Sequence, residues 1–417
     1  MKALVYGRGI SGKGSEKLLI EKGYSVEYVS DDTGNEVLDD ADLLVLSPSV
    51  PLERPLVRRA ELSGIEVVGE MELASRYVDN DIIAVTGTNG KTTTTMMISS
   101  LLTESGLKHK TLGNIGKSFA GSVSDVEKDD MILLEVSSFQ LETITSFRPK
   151  VAILLNIAPD HLERHKTYDE YVRVKTSIFE NMTKNDFAIA NYDDEAVRNA
   201  ASGIMPSTYY FSVKERVRGA YVQNGHVFFM GEKMFPLENL KFKAEHNIAN
   251  ALAVITLAKI FNIPNSIILR SFNKFTLPPH RIEFVGRYNG KNYFNDSKAT
   301  NIDATIKAVK SMRGSTALIV GGYDKGISYY RLFASLDKKV KCVVIFGQNR
   351  HRVEECIKDF DIRYYVCDTL SLAITSAKKE RVENVLFSPA TSSYDMFRNY
   401  EERGEVFTQL VGDINEK

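Results

Sequence analysis

Tryptophan is absent from the 417 residues, cysteine occurs three times and histidine seven, and each scarcity removes a class of protein. Cys342, Cys356 and Cys367 are odd in number and lack the close pairing of a zinc site. Neither a disulfide framework nor a zinc fold is therefore expected, and a reducing compartment fits best. No apolar run approaches the roughly 20 residues of a membrane span, and residues 3–6 meet a glycine turn too soon to form a signal-peptide core. The expected location is the cytoplasm. An excess of either charge is also lacking: Lys plus Arg number 53 against 54 Asp plus Glu, a net −1. Without a basic field, neither nucleic acid nor an anionic membrane is an expected partner, and small molecules are. What is present, 43% hydrophobic and 26% charged residues, is the make-up of a folded globular chain, long enough for two or three cores.

Strand-like and helix-like runs alternate through three segments, which predicts an α/β protein of three domains, 1–79, 80–278 and 279–417. In the first, runs at 3–6, 26–30, 43–47 and 66–68 read as parallel strands of a Rossmann-like sheet. Pro48, Pro51 and Pro55 punctuate a strand-end loop, where open α/β sheets bind ligands. In the second, 82–85, 131–136 and 151–156 read as buried strands, an Asn224-Gly225 hairpin adds an antiparallel patch, and 247–261 is helical by its apolar spacing. Pro278-Pro279 mark a linker. The third opens on a hairpin at Asn289-Gly290 and alternates strands at 316–320, 342–346, 364–367 and 385–387 with helical runs, again Rossmann-like.

The chemistry concentrates at strand ends. Thr86-Gly87-Thr88-Asn89-Gly90-Lys91-Thr92-Thr93-Thr94 joins an apolar strand to a helix and reads as a phosphate cradle. Glycines let backbone N–H groups approach phosphate oxygens, Lys91 brings a charge, Thr92 offers a hydroxyl to Mg²⁺, and the helix N-terminus favours anions. The spacing is shorter than that of the common P-loop, whose first glycine would fall at Val85. Gly7-x-Gly9-x-x-Gly12 with Asp31 about 20 residues on matches the dinucleotide fingerprint, which suits any nucleotide diphosphate and equally a turn that binds nothing. Glu135 ends a strand, as a Mg²⁺ ligand would and as a carboxylate simply emerging into solvent would. Lys175, on the helical run 168–181, reads on its own as part of a solvated face. Asn301 resembles an N-cap.

In order and together, residues 87–93, 135–141, 160–165, 246–251, 280–283, 295–301 and Gly321-Gly322 make the chain resemble the Mur ligase family, ATP-dependent amide ligases of peptidoglycan-precursor synthesis. The glycine fingerprint, residues 47–51 and 69–73, and the stretch from Ser388 to Gly404 resemble the branch that adds D-glutamate to UDP-N-acetylmuramoyl-L-alanine. The resemblance implies a first domain for the UDP substrate, with Ile10, Ser11 and Asp31 near the uracil and Asn114, Ser137 and His161 at the muramoyl-alanine end. It implies an ATP site of Gly87, Thr88, Asn89, Gly90, Lys91, Thr92 and Thr93 with Asn247, Asn250, Arg281, Asp296 and Lys298. Two Mg²⁺ ions are implied, one on Thr92 and Glu135 and one on His161 and Lys175, the lysine being carbamylated. Catalysis falls to Lys91, Glu135, His161 and Lys175. D-Glutamate falls to Thr300, Lys325, Ser393 and Tyr400 in a protein expected to be a monomer. Two positions depart from close relatives: Tyr400 is often Phe, and Gly-Gly-Tyr-Asp-Lys-Gly at 321–326 is often Gly-Gly-Asp-Gly-Lys. A ligase for another amino acid or for folate, an NAD-dependent dehydrogenase, and a nucleotide-gated binding protein are the alternatives.

Overall fold

The computed structural model describes residues 1–242 and 244–413 and divides into two compact units, Met1–Phe275 and Thr276–Lys417. The first unit holds two sheets. One is four-stranded and parallel, in the order Ser25–Val29, Lys2–Tyr6, Leu43–Leu46, Glu66–Gly69. Its Leu43–Leu46 strand is buried throughout, as a parallel strand covered on both faces must be. The helix Ile10–Glu21 follows the glycine turn. The helix Pro55–Leu62 starts on a proline, whose missing N–H costs nothing at a first helical position.

The other sheet has nine strands. Ile82–Thr86, wholly buried, runs parallel between Met131–Glu135 and Val151–Leu154, with His109–Gly113 outside Met131–Glu135. On the far side Phe187–Asn191, Ser207–Ser212 and Gly219–Gln223 continue in parallel, and His226–Phe229 and Glu232–Pro236 finish antiparallel. The Asn224-Gly225 turn has φ 47° and 70°, the two left-handed residues that a tight hairpin requires. Helix Glu245–Ile260, buried from Asn250 to Ala258, packs between Lys91–Glu104 and the strands at Phe187–Asn191 and Ser207–Ser212. That position explains its all-round apolar character. The helix expected over 168–181 is shorter, Tyr168–Thr176, and tightens into a 3₁₀ turn at Ser177–Phe179.

The second unit carries a six-stranded sheet. Glu283–Tyr288 and Lys291–Asn295 form the expected hairpin, and Asn384–Phe387, Thr316–Gly321, Val340–Phe346 and Tyr364–Val366 extend it in parallel. The α/β class with antiparallel patches thus holds for both units, and the strand ends present residues 295–301, 321–326 and 388–393 at one edge.

Helix Glu70–Ser75 bears two buried carboxylates of opposite character. Glu72 lies among backbone and hydroxyl donors that pull its pKa down to about 2. Glu70 accepts only sparsely, including the Ala120 N–H at 2.7 Å, and burial pushes it up to about 7. A carboxyl raised in the folded state binds its proton more tightly there than in the unfolded chain. Its contribution is therefore present at low pH and is lost as pH rises through about 7. Relative to the parent, Glu70→Gln should gain melting temperature between about pH 4.5 and pH 7 and level off above that; a difference that stays flat across that range contradicts the assignment.

Candidate functional site

The loop between Ile82–Thr86 and Lys91–Glu104 is held open by its own backbone and by one asparagine. Gly87 and Gly90 have φ 151° and 89°, and a Cβ on Gly90 would stand 2.7 Å from Asn250 Oδ1. Asn156, at the end of the neighbouring strand, staples the loop from the side. Its carbonyl accepts the Thr88 N–H at 2.8 Å, its Oδ1 accepts the Asn89 N–H at 2.8 Å, and its Nδ2 donates to the Asn89 carbonyl at 2.8 Å. Thr88 Oγ1 lies 3.0 Å from the Tyr171 hydroxyl and accepts the Ala158 N–H at 2.9 Å. The result is a preorganised turn at a helix N-terminus, an anion site by geometry and by dipole. Thr92 is half-buried and Thr93 buried in the first helical turn.

Two lysines meet at this loop. Lys91 Nζ donates to the carbonyls of Gly87 and Thr88 at 2.8 and 3.0 Å, and Lys175 Nζ donates to the same Gly87 carbonyl at 3.0 Å. Lys175 is 1% exposed, so the solvated helix face read from sequence is corrected: its helix turns this residue inward beneath the loop. Burial first, then the Lys91 charge, drive the Lys175 pKa well below the ordinary lysine value, with Asp160 and Glu135 opposing. Lys175 therefore gives up its proton more readily than an ordinary lysine.

Glu135 is 1% exposed, so it does not simply emerge into solvent at the strand end. Its Oε1 accepts from Asn114 Nδ2 at 2.8 Å, and its Oε2 is buried without a hydrogen-bond partner. A buried carboxyl oxygen left without a partner beside a phosphate-type loop fits a divalent cation. Among the described residues no cluster of three or more His, Cys, Asp or Glu forms a metal cage. Mg²⁺ suits such a place, since it binds one or two carboxylates and takes the rest of its shell from phosphates and water. Ser137, two residues on, caps the helix Ser138–Leu141 in a capping box with Gln140. His161 sits in the left-handed region, φ 54°, at the N-terminus of Leu162–His165, with its ring edge-on to Phe139 at 4.9 Å. His165 is buried, contacts Ser138 Oγ at 3.0 Å, and is held down to about 4 by burial first and then by the nearby His161 and Lys175 charges.

In the four-stranded sheet, Gly7 has φ 111° and a Cβ on Gly12 would fall 1.7 Å from the Gly7 carbonyl oxygen. The fingerprint is thus a true close-packed turn. Ile10 is exposed at the start of the helix, Ser11 half-buried, and Asp31 Oδ2 accepts from Arg54 Nη1 at 3.0 Å.

Asn247 and Asn250 belong to the first unit, whereas Arg281, Asp296, Lys298, Thr300, Lys325, Ser393 and Tyr400 belong to the second. There Asp296 is buried, accepting from Ser388 Oγ at 2.7 Å and from the Ile282 N–H at 3.2 Å, and burial pushes it up to about 7. Lys298 Nζ stands 3.6 Å from the centre of the Tyr400 ring, a cation–π contact that joins an expected nucleotide residue to an expected amino-acid residue. Lys325 Nζ donates to the Thr300 carbonyl at 3.1 Å, and Ser393 is buried. Sequence reasoning missed the residue that gathers these loops. Arg403, 0% exposed, donates to Ser297 Oγ at 3.0 Å, the Ser297 carbonyl at 2.7 Å, and the Thr391 and Ser392 carbonyls at 3.0 Å each. Only the Arg-Gly pair in the quoted stretch hinted at it. Asn301 caps its helix as expected, accepting the Ala304 N–H at 2.9 Å.

Residues 85–258 match the Mur ligase middle domain and residues 280–390 the Mur ligase, glutamate ligase domain. A UDP-N-acetylmuramoylalanine--D-glutamate ligase of Aquifex aeolicus is 39% identical over 422 residues, 99% of this chain and 98% of that protein. One from Thermoanaerobacter sp. (strain X514) is 38% identical over 405 residues, 94% of this chain and 89% of that protein. Among solved structures, MurF ligase from Thermotoga maritima in complex with ADP superposes with a TM-score of 0.64 at 17% identity, covering 99% and 95% of the two chains. MurC from the same organism gives 0.62 at 18% identity, covering 99% of each. These two distant structures share the fold.

A methyl group on Gly90 meets both a left-handed backbone and Asn250. Gly90→Ala should therefore weaken Mg-ATP binding about tenfold or more, from a backbone cost of about 1–2 kcal/mol. Calorimetric titration checks this, and unchanged affinity would remove the loop from the nucleotide site.

Proposed function

The chain belongs to the Mur ligase family, and from that premise we propose that it joins D-glutamate to UDP-N-acetylmuramoyl-L-alanine, cleaving ATP to ADP and phosphate. The near-full-length likeness to ligases of that name carries the substrate assignment. The unpartnered Glu135 oxygen beside the phosphate loop supports the chemistry. In this reading residues 1–79 hold the UDP substrate, 80–278 hold ATP and 279–417 bring the amino acid, in a cytoplasmic monomer. No helix among the described residues is long and apolar enough to cross a membrane.

The difficulty of the reaction is charge. A carboxylate must approach a polyanion, so its environment has to be cationic before the reactants meet. Two Mg²⁺ ions, when bound, supply much of that neutralisation, with Thr92 and Glu135 holding one and His161 and Lys175 the other. Lys91 exchanges the carbonyls of Gly87 and Thr88 for the β- and γ-phosphates, and the loop's N–H groups orient them. The alanyl carboxylate oxygen bonds to the γ-phosphorus as the bond to the ADP oxygen breaks, leaving an acyl phosphate. The free amine of D-glutamate then attacks the acyl carbon, loses a proton, and expels phosphate to leave the amide. Asn247, Asn250, Arg281, Asp296 and Lys298 hold the nucleotide, while Ile10, Ser11 and Asp31 hold the uracil and Asn114, Ser137 and His161 the muramoyl end. Thr300, Lys325, Ser393 and Tyr400 present the amino acid, with Lys325 facing a carboxylate. Exclusion of water protects the acyl phosphate.

A neutral Lys175 amine is a nucleophile for CO₂. The N–C bond forms as one C–O π pair moves to oxygen, a proton leaves to solvent, and the neutral amine becomes an anionic oxygen ligand. Burial and the neighbouring Lys91 favour this direction.

Phosphate release measured with D-glutamate, L-glutamate, L-alanine, L-lysine and meso-diaminopimelate should respond to D-glutamate; a flat response there, or a larger one to another amino acid, defeats the assignment. Lys91→Ala and Glu135→Ala should each lose at least about a hundredfold in turnover, and near-normal rates would remove that residue from its role. Lys175→Ala should be partly rescued by small carboxylic acids. A carbamate carbon signal should appear in ¹³C-bicarbonate on the parent protein; full activity without CO₂ and no such signal would exclude the modification.

A further inference from the structure

The Glu72 carboxylate lies inside a turn of the neighbouring sheet's framework, and its side chain is 0% exposed. Oε1 accepts from Thr145 Oγ1 at 2.8 Å, Ser146 Oγ at 2.5 Å, the Ser146 N–H at 3.1 Å and Arg76 Nε at 3.0 Å. Oε2 accepts the N–H groups of Thr145, Ser146 and Phe147 at 3.0, 3.1 and 2.9 Å. Three successive backbone donors aimed at one anion form a nest, and hydrogen bonds to an ionised acceptor are the stronger and more directional kind.

Each end of this contact leads by a short, stiff path to part of the substrate site. Upstream, Glu72 follows Gly69, which ends the strand Glu66–Gly69 beside Leu43–Leu46. The next residue after Leu43–Leu46, Ser47, packs against Gly7 so closely that a Cβ there would fall 2.5 Å from Ser47 Oγ. Downstream, residues 145–147 follow the helix Ser138–Leu141, capped by Ser137, which itself follows Glu135. Gly69 has no room for a side chain, since a Cβ would come 2.2 Å from Thr143 Oγ1. The nest therefore fixes the first sheet against the second at a point between the glycine cradle and the edge that carries Ser137 and Glu135.

We propose that Glu72 is a positioning residue for the extended substrate: seated in the nest at 145–147, it sets the distance from the UDP cradle to the muramoyl-alanine end of the site. This rests on the functional reading above. A substrate that reaches from one sheet to the other senses that distance at both ends, whereas UDP alone engages only the cradle and ATP the second sheet's loop. A purely structural Glu72 would not separate these ligands.

The sheets have other ties, so altering the nest should shift the first sheet rather than release it. Lys17 Nζ donates to the Gly121 carbonyl at 3.1 Å and to Ser124 Oγ at 2.9 Å, Glu70 accepts from Ala120, and Arg164 Nη2 donates to the Val50 carbonyl at 2.9 Å. Glu72→Gln places an amide donor among N–H donors and weakens the seat without removing its bulk. By calorimetry on the full chain, Glu72→Gln should bind UDP-N-acetylmuramoyl-L-alanine at least about tenfold more weakly, while UDP alone and Mg-ATP stay within about twofold of the parent. If that variant fails to fold, Ser146→Ala, which removes a donor from the other side, should give the same split. Equal losses for UDP and the extended substrate, or no loss for either, would overturn the proposal. A parent protein that binds UDP but not its muramoyl-alanine derivative would instead remove the functional reading, and this inference with it.

Discussion

Two lysine side chains share one carbonyl oxygen, that of Gly87, and the rest of the first unit's site is arranged around that crowding. Ammonium groups meeting on one acceptor repel, and only one is buried past the reach of water. The buried one, Lys175, yields its proton more easily, while half-buried Lys91 retains the means to follow an incoming phosphate. Glu135 and Asp160 bear on the same point from the acidic side. Burial, with the Lys91 charge behind it, thus makes two identical residue types unlike: Lys175 holds its proton less firmly than Lys91, which stands at the loop to meet an anionic ligand.

Parallel topology explains why these groups can be close. Ile82–Thr86, Met131–Glu135 and Val151–Leu154 are neighbours in one register, so the loop, Glu135 and the Asn156 staple leave the sheet side by side at the same edge. A helix N-terminus supplies partial positive charge there. None of these contributions requires a long or mobile side chain. That is why the turn is rigid and why its glycines sit where a Cβ would strike Leu155, Asn156 or Asn250.

Most of the scaffold was legible because apolar runs mark buried parallel strands, and Asn-Gly turns mark hairpins by their left-handed backbone. Four strands, His109–Gly113, Phe187–Asn191, Ser207–Ser212 and Glu232–Pro236, escaped. Each is short, and all but Phe187–Asn191 mix polar with apolar residues without a marked apolar run. At the site, spacing identified the loop and its lysine, whereas burial was invisible to it. Glu135 stood equally for a ligand and an exposed terminus, and its 1% exposure removes the second; Lys175 looked solvated because helix periodicity does not say which sheet covers which face. Asn156 and Arg403 were overlooked for a related reason: each acts on backbone atoms far away in sequence, and such partners leave no local pattern.

Those overlooked residues share a physical habit. Arg403 is a buried cation whose hydrogen bonds go to the carbonyls of Ser297, Thr391 and Ser392 and to one hydroxyl, and Glu72 is a buried anion bound by the N–H groups of 145–147. A buried ion pair would cancel its charge locally and tie together only two side chains, with a desolvation cost that often matches the gain. A buried ion satisfied by main chain does something different. It fixes the path of a loop, because the oxygens or N–H groups it needs belong to successive residues, and it does so for Glu72 even with Arg76 paired to one of its oxygens. In the second unit that fixed path includes Ser297 beside Lys298, and Ser392 beside Ser393. In the first it runs from the glycine cradle towards Ser137. Main-chain atoms held in this way set where the neighbouring side chains begin.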